Sequence, residues 1–427
     1  MPLMDRLQDK TAVIGVVGLG YVGLPLAIAF AEAGFRVIGI DTSQDKLDTL
    51  YKGVSYIADV DSSRVEAVVR QGRLRPLNWE QTDRADVFIV CVPTPITADK
   101  KPDLGYIIGS TVLVKDRLSS DDSMAVLESS TYPGTTRDVV LPILGRSAKY
   151  IAYSPERVDP GSKKFNIRNT PKLVGGIDEE STELATKLYR YIVDWVVPVS
   201  SPEVAETAKL YENVFRNVNI ALVNEMALIC ERMGVSVWEV IDAAATKPFG
   251  FMPFYPGVGV GGHCIGTDDY YLIDKARECG WQSELDVVAL SINEVMPFRV
   301  AKWVASTLRP RGPSIDGSKI LVLGIAFKPD VGDTRESPSV KLINILLSWG
   351  ADVLYNDPYV PRLSERMVSM ELDDELLDTA DCVVIATGHS CYNWRWIVDK
   401  AKLVFDTRGV TRGLDKDTIY RLGERRD

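Results

Sequence analysis

Histidine is almost missing from the chain, which has two, His263 and His389. The six cysteines, Cys91, Cys230, Cys264, Cys279, Cys382 and Cys391, include no Cys-x-x-Cys pair. That spacing suits neither a zinc site nor a secreted disulfide framework, so the thiols are expected to be reduced. No apolar run approaches the roughly 18–20 residues that span a bilayer. The start, "MPLMDRLQDK", lacks the apolar centre of a signal peptide, and we expect a cytoplasmic protein without a membrane partner. A basic excess is lacking as well: Lys and Arg number 49 against 59 Asp and Glu, a net charge of −10 at pH 7. This argues against nonspecific binding to nucleic acid or an anionic membrane. It leaves room for an anionic small ligand, which local cations and helix N-termini can hold.

What is present is a globular composition, 46% hydrophobic and 25% charged, over 427 residues. That length exceeds one ordinary core and predicts two or three domains. The first third opens with "TAVIGVVGLGYVGLPLAIAFAEAGFRVIGID". The β-branched run Thr11 to Val17 predicts a buried parallel strand. Gly18, Gly20 and Gly23 follow, then a helical stretch reaching Ala33, a stop at Gly34 and a second strand ending at Asp41. A G-x-G-x-x-G between strand and helix, with an acidic residue 18 positions on, is a dinucleotide-binding pattern. Gly18 permits the tight turn, Gly20 admits the pyrophosphate and Gly23 lets helix and strand pack. Asp41 accepts ribose hydroxyls and repels a 2′-phosphate, which favours NAD over NADP. A glycine-rich turn without a ligand is the plainer alternative.

Further strands are expected at 86–95, 123–134 and 150–161, each breaking into Pro, Ser, Thr or Gly. Ligands bind at such carboxyl ends of strands, so Thr94, Thr131 and Glu156 are placed to meet cofactor or substrate, or to stabilise turns. From Pro202 to Gly234 the pattern predicts one long helix, with Lys209, Asn213 and Asn217 in a row on one face beside Ala205 and Ala208. That face is a pocket wall or a solvated polar stripe. After the polar break at 309–319 a strand, turn, helix and strand recur without the glycine fingerprint; the turn holds Lys328 and Arg335, and a later strand ends at Arg408. Cations at the ligand end of such a sheet suit a nucleoside diphosphate, or they form surface ion pairs.

The stretch "GVGVGGHCIGTDDYYL", 257–272, sets Cys264 behind four glycines. The thiol there is a reactive group, a metal ligand or a small core residue; His263, Cys264 and Asp268 make no convincing tetrahedral set. Beside an NAD site a thiol has a specific use, because oxidation of an alcohol to the aldehyde does not need it. If the aldehyde is oxidised again, a thiolate adds to it, the thiohemiacetal gives up a second hydride, and water hydrolyses the thioester. Asp268 would act as base or orient the water if the segment turns helical after the glycines.

The chain resembles the UDP-glucose/GDP-mannose dehydrogenase family of nucleotide-sugar 6-dehydrogenases. The resemblance runs through "VVGLGYVGLPLA", "CVPTP", "ESSTYPGTT", "SPERVDPG", "ETAKLYENVFRNVNIALVNE", "GFMPFYPGVGVGGHCIGTDDYYL" and "GIAFKPDVGDTRESPS", in the family's order. It implies an α/β fold of two Rossmann-like, doubly wound domains joined by a long central helix and a helical middle domain. The expected division is 1–200 for NAD, 201–308 for the helical, dimer-forming middle that carries the cysteine, and 309–427 for the nucleotide sugar. By resemblance Cys264 is the nucleophile, Lys209 and Asn213 stabilise the alkoxide and thiohemiacetal oxygens, and Asp268 orients water or tunes the thiol. Thr131 and Glu156 position the water and contact substrate. Cofactor contacts are expected at Gly18, Gly20, Tyr21, Val22, Gly23, Asp41, Lys46, Thr94, Thr131 and Arg335. Substrate contacts are expected at Glu156, Arg157, Lys209, Asn213, Gly261, Lys328 and Arg408. No metal is implied, and a homodimer is.

Within the family, "GGHC" and "SPERVDPG" resemble the branch acting on N-acetylated hexosamines. His263 and Arg157 would reshape the pocket around C2, which favours UDP-N-acetylglucosamine over UDP-N-acetylmannosamine or UDP-glucose; packing is the other use of His263. The chain departs from the pattern at Val258, Gly266 and Asp269, where relatives commonly have proline. Asp269 sets a second carboxylate beside Asp268, and repulsion would raise the pKa of one of them or of the thiol. Two other classes stand beside this one: an NAD-binding sensor that has lost its chemistry, and a two-electron hydroxy-acid dehydrogenase, which would leave the thiol and the last domain unused.

Overall fold

A computed structural model of the chain describes every residue except 58, 159–160, 162–163, 263–264, 310–313 and 425–427. The chain divides into two compact units: Met1–Glu212 with Tyr270–Trp281, and Asn213–Asp269 with Gln282–Asp427.

In the first unit β1 (Val13–Val17), β2 (Arg36–Ile40), β3 (Leu74–Leu77), β4 (Val87–Val90), β5 (Met124–Leu127), β6 (Tyr150–Tyr153), β7 (Lys172–Gly176) and β8 (Val196–Pro198) form one sheet. The order is β3-β2-β1-β4-β5-β6-β7-β8. Neighbours pair in parallel except β6 with β7. Both faces are covered, which is why β1 is apolar throughout. Ile14 and Val16 pack with Leu26 and Phe30 of the helix Gly23–Glu32, and Val17 packs on the other face with Ile38 and Phe88. The strands expected at 86–95, 123–134 and 150–161 stop early, at Val90, Leu127 and Tyr153. Pro93, Pro133 and Pro155 cannot donate to a ladder, so the chain leaves the sheet and forms loops there. The chain reverses direction of winding between β1 and β4, and the turns that follow these two strands flank the crevice where such sheets bind ligands.

The second unit holds a smaller parallel sheet of β9 (Lys319–Leu323), β10 (Asp352–Asn356), β11 (Cys382–Ile385), β12 (Val404–Asp406) and β13 (Ile419–Arg421). Its order is β10-β9-β11-β12-β13. The alternation along β9 divides the core: Ile320 and Val322 meet Val300, Val304, Leu342 and Leu346 on one face, while Leu321 and Leu323 meet Leu377 and Ile397 on the other. Both units are therefore Rossmann-like, and the chain is an α/β protein. The long helix runs from Pro202 to Met233, 32 residues, and Gly234 follows with φ +71°. Proline at the first turn and a left-handed glycine after the last are what bound it. Among the described residues no helix is long and apolar enough to cross a membrane.

Candidate active site

The turn after β1 has the geometry its glycines call for. Gly18 takes φ +89°, and a Cβ there would stand 2.6 Å from the Cys91 carbonyl oxygen. A Cβ on Gly23 would overlap the Gly18 carbonyl, so the helix can start this close to the strand only with glycine. Gly20 is different: a Cβ there meets nothing within 4 Å, so open space lies above the turn. Tyr21 is exposed, and Val22 sits at the helix N-terminus. Asp41 is buried, and its carboxylate accepts from Leu19 N at 2.9 Å, Ser43 N at 2.9 Å and Lys46 Nζ at 3.1 Å. Open space at the middle glycine and a carboxylate fixed by three donors fit a dinucleotide. Thr94 is buried near the start of the loop after β4. Tyr56 donates to the Leu19 carbonyl at 2.6 Å, and burial, then Asp41, pushes its pKa far up, so it remains a neutral donor.

Around Glu156 lies a buried cluster that motif reading does not find. Glu156 Oε1 accepts from Arg157 N at 2.7 Å and Val158 N at 2.6 Å. Lys172, itself buried, donates to Glu128 Oε2 at 3.1 Å, to the Pro155 carbonyl at 3.3 Å and to Glu156 Oε2 at 3.4 Å. Tyr189 donates to the other oxygen of Glu128. Burial alone would push Glu156 up, but Lys172, the two amides and Lys209 hold it below the usual carboxylate range. Burial dominates at Glu128 and raises it in spite of Lys172. Cys91, beside the cluster, is pushed well up by burial and stays a thiol. One ammonium thus serves two carboxylates, and it holds Glu156 low while burial raises Glu128. A faint sign was in the sequence: Glu128 ends an apolar strand and Lys172 begins one.

Arg157 is turned toward Glu212, with Nη2–Oε1 2.6 Å and Nε–Oε2 3.2 Å, and also donates to the Pro171 carbonyl at 2.8 Å. Thr131 is buried with its hydroxyl 2.6 Å from that of Thr135. Just beyond, Glu206 of the long helix accepts from Gly134 N at 2.6 Å and from Thr136 N at 2.9 Å, fixing the "TYPGTT" turn. Lys209 is partly buried one turn further along that helix.

The segment after the glycines does turn helical, as Thr267–Glu278, with Asp268 and Asp269 in its first turn. Asn213 Nδ2 donates to Asp268 Oδ2 at 2.6 Å, both side chains being buried. Asp269 accepts from Asn217 Nδ2 at 3.1 Å and from Gly266 N at 2.8 Å. Asp269 also faces Asp286, a residue absent from the sequence reading. Burial, then Asp269, raises Asp286 to about 8. The glycines make room within the protein. A Cβ on Gly257 would overlap the Arg408 guanidinium, one on Gly261 would stand 2.8 Å from the Glu336 carbonyl oxygen, and one on Gly262 would stand 2.9 Å from the Phe327 ring. Gly262 N donates to the Arg335 carbonyl at 3.1 Å. His263 and Cys264 lie outside the described residues.

Arg408 is held in the turn after β12, with Nε donating to the Ala386 carbonyl at 2.7 Å; burial lowers its pKa to about 10. Lys328 is partly buried in the turn after β9. Arg335 is exposed and clamps Asp333 through Nε, at 3.0 Å, and Nη2, at 2.6 Å. The glycine fingerprint does not recur in this sheet, yet its aspartate does. Asp357, just past β10, accepts from Ile325 N at 2.7 Å and Ala326 N at 3.0 Å, as Asp41 does from Leu19 N. Burial would raise Asp357, but the buried His389 at 3.1 Å and the two amides hold it below the usual range.

Three domain models of one family match the chain, that of UDP-glucose/GDP-mannose dehydrogenases: the NAD binding domain over residues 12–193, the central domain over 203–295 and the UDP binding domain over 321–413. A UDP-N-acetyl-D-glucosamine 6-dehydrogenase of Pseudomonas aeruginosa is 36% identical over 359 residues, 82% of this chain and 84% of the relative. A UDP-N-acetyl-D-mannosamine dehydrogenase of Pyrococcus horikoshii is 34% identical over 424 residues, 96% of this chain and 98% of the relative. Among solved structures, a UDP-D-ManNAc dehydrogenase from Pyrococcus horikoshii is similar with TM-score 0.87 at 33% identity, over 96% of this chain and 99% of that one. A UDP-glucose dehydrogenase from Pyrobaculum islandicum gives 0.86 at 27%, over 97% and 98%.

Two variants test this geometry. Asp41→Ala removes an acceptor and a negative charge, so NAD should bind about ten- to a hundredfold more weakly, as loss of charged hydrogen bonds implies, and preference over NADP should shrink. Fluorescence titration with both cofactors measures it, and unchanged selectivity would refute the role given to Asp41. Lys172→Met leaves two buried carboxylates without their cation, and should cost about 3–5 kcal/mol at neutral pH. Because Glu156 is held low, the stability Lys172 brings through it exists above the ordinary carboxylate range and is lost as pH falls. The gap in Tm between variant and wild type should therefore hold above pH 5 and narrow from pH 5 to pH 3; a gap that stays constant over that lower range would contradict the pairing.

Proposed function

This chain belongs to the UDP-glucose/GDP-mannose dehydrogenase family, and we propose that it oxidises the C6 hydroxyl of UDP-N-acetylglucosamine to the uronic acid through a thioester on Cys264. It is an NAD-dependent oxidoreductase acting on UDP-N-acetylhexosamines. The observation that carries the covalent route is the Asn213–Asp268 contact of 2.6 Å. It ties the residue one turn from Lys209 on the long helix to the helix that begins three residues after Cys264.

In the first oxidation Lys209 and Asn213 offer an ammonium and an amide to the oxygen of C6 as its proton and hydride leave. Bound NAD is the hydride acceptor in both oxidations. The Cys264 thiolate then adds to the aldehyde carbon, and the same pair stabilises the thiohemiacetal oxygen. Loss of a second proton and hydride gives the thioester. Thr131 and Glu156 position a water, which attacks the carbonyl carbon; the C–S bond breaks, and Asp268 takes up the proton that water gives up. The Glu156 carboxylate, kept charged by Lys172, suits an acceptor of a water hydrogen. The partly buried Arg408 guanidinium, with Lys328 and the Gly261 backbone, suits the nucleotide diphosphate. Arg335 and Lys46 are assigned to the cofactor, and Arg157 to the surroundings of C2.

A homodimer fits one further observation. In the second unit Phe215, Leu222, Ile229 and Met233 are exposed on the long helix at spacings of seven, seven and four, an apolar stripe on one face.

The test is NADH formed per sugar with limiting UDP-N-acetylglucosamine, UDP-N-acetylmannosamine, UDP-glucose and GDP-mannose in parallel. Two NADH per UDP-N-acetylglucosamine are expected, with slower turnover of the others. One NADH would mean that oxidation stops at the aldehyde, and faster turnover of another sugar would reassign the substrate. Cys264→Ser should keep NAD binding and lose acid formation; unchanged acid formation would refute the covalent step.

A further inference from the structure

Asp269 is fully buried, and the function proposed above gives it no task. It is the end of a buried hydrogen-bond chain whose donors all point one way. Gly257 N donates to Asn224 Oδ1 at 3.0 Å, Asn224 Nδ2 to Asn293 Oδ1 at 2.9 Å, Asn293 Nδ2 to Asn217 Oδ1 at 2.7 Å, and Asn217 Nδ2 to Asp269 Oδ1 at 3.1 Å. The other oxygen of Asp269 accepts from Gly266 N at 2.8 Å. All five side-chain and backbone links lie in the second unit, and the four side chains are buried. The chain therefore ties Gly257 and Gly266, the two ends of the glycine-rich segment that contains Cys264, to one carboxylate.

Asp286 completes the group. It is buried in the first turn of the helix Glu284–Leu308, and neither of its oxygens has a donor among the described residues. Two buried carboxylates in contact cannot both stay charged, and one proton between them supplies the missing donor. Since Asp269 already accepts two hydrogen bonds, the proton belongs on Asp286. Among the described residues the charged group facing Asp286 is Asp269; Asp268, next in the chain, is taken up by Asn213, and the long helix contributes the neutral amide of Asn217.

We propose that Asp286 is a positioning residue for the covalent step: its protonated carboxyl bonds to Asp269, and the pair, through the amide chain, holds both ends of the segment that carries Cys264. Ionisation of Asp286 sets two charges against each other and loosens that segment. The sign follows from a carboxyl raised to about 8: its stabilisation is whole below the ordinary carboxylate range and is lost as pH rises through about 8.

The proposal rests on Cys264 being the nucleophile, and the test separates the two. Asp286→Asn keeps the shape and a donor to Asp269 but cannot ionise. Thermal unfolding of both proteins from pH 6 to pH 9 comes first. Wild-type Tm should fall by several degrees across this range while that of Asp286→Asn stays level; parallel curves would overturn the shared proton, whatever the enzyme oxidises. Next, kcat and the rate of Cys264 alkylation by iodoacetamide, located by peptide mass spectrometry, are followed over the same range. Relative to Asp286→Asn, the wild type should lose kcat and change its alkylation rate with a midpoint near 8. Divergent thermal curves with identical kcat and alkylation profiles would overturn the positioning role. If no sugar nucleotide is oxidised, the proposed function fails, and the thermal and alkylation profiles still decide the role of Asp286. As a second variant, Asp269→Asn should lower kcat at pH 7 with wild-type affinity for NAD; unchanged kcat would overturn the anchoring role of Asp269.

Discussion

A carboxylate taken out of water must be met by donors or give up its charge, and this protein uses that constraint to close its loops. Asp41 grips Leu19 N and Ser43 N, Glu206 grips Gly134 N and Thr136 N, and Glu156 grips Arg157 N and Val158 N. In the second unit Asp357 grips Ile325 N and Ala326 N, Asp406 grips Arg408 N and Thr411 N, and Asp269 grips Gly266 N. Loops that leave the carboxyl ends of strands have unpaired amides, and a nearby side-chain acceptor is the cheapest fixed partner. An acidic chain can therefore build rigid ligand loops for an anionic substrate, because its carboxylates are used up on backbone rather than facing the ligand.

The same constraint sorts the carboxylates by what they can do. Glu156 has a cation and two amides and stays charged, while Glu128, deeper and sharing that cation, is raised. Asp286 has no donor among the described residues, and burial and Asp269 raise it. Groups of one chemical type thus hold different protonation states at one pH, which an oxidation that releases two protons and two hydrides can exploit. The glycines serve a related end: at Gly18 and Gly23, and again at Gly257, Gly261 and Gly262, they allow the backbone to approach neighbours that a Cβ would displace.

Features set by local sequence were legible in advance. A helix at Asp268 entered only as a condition, whereas the strand–glycine turn–helix of residues 13–32 and the helix from Pro202 to Met233 follow from periodicity and end signals within a few residues. So did Asp41, whose distance from the glycines is fixed by the length of one helix and one strand. Ends of strands were overcalled where proline and serine continue an apolar run. Pairings between distant residues were not legible: Lys172 with Glu128 is 44 positions apart, and His389 with Asp357 is 32. The aspartate of the second sheet was hidden because its turn lacks the glycines that mark the first. Asp286 reads as an ordinary residue of a helix N-terminus, and only folding puts it against Asp269.

The central claim is a covalent route through Cys264, and the most direct measurement is the mass of the enzyme during turnover. The protein is mixed with UDP-N-acetylglucosamine and NAD, quenched in acid within the first turnover and digested, and the peptide carrying Cys264 is weighed. The account predicts an adduct equal to the sugar nucleotide less four hydrogen atoms, the thioester, formed on that peptide and lost on longer incubation as acid appears. Formation of acid with the peptide unmodified at every time point would contradict it.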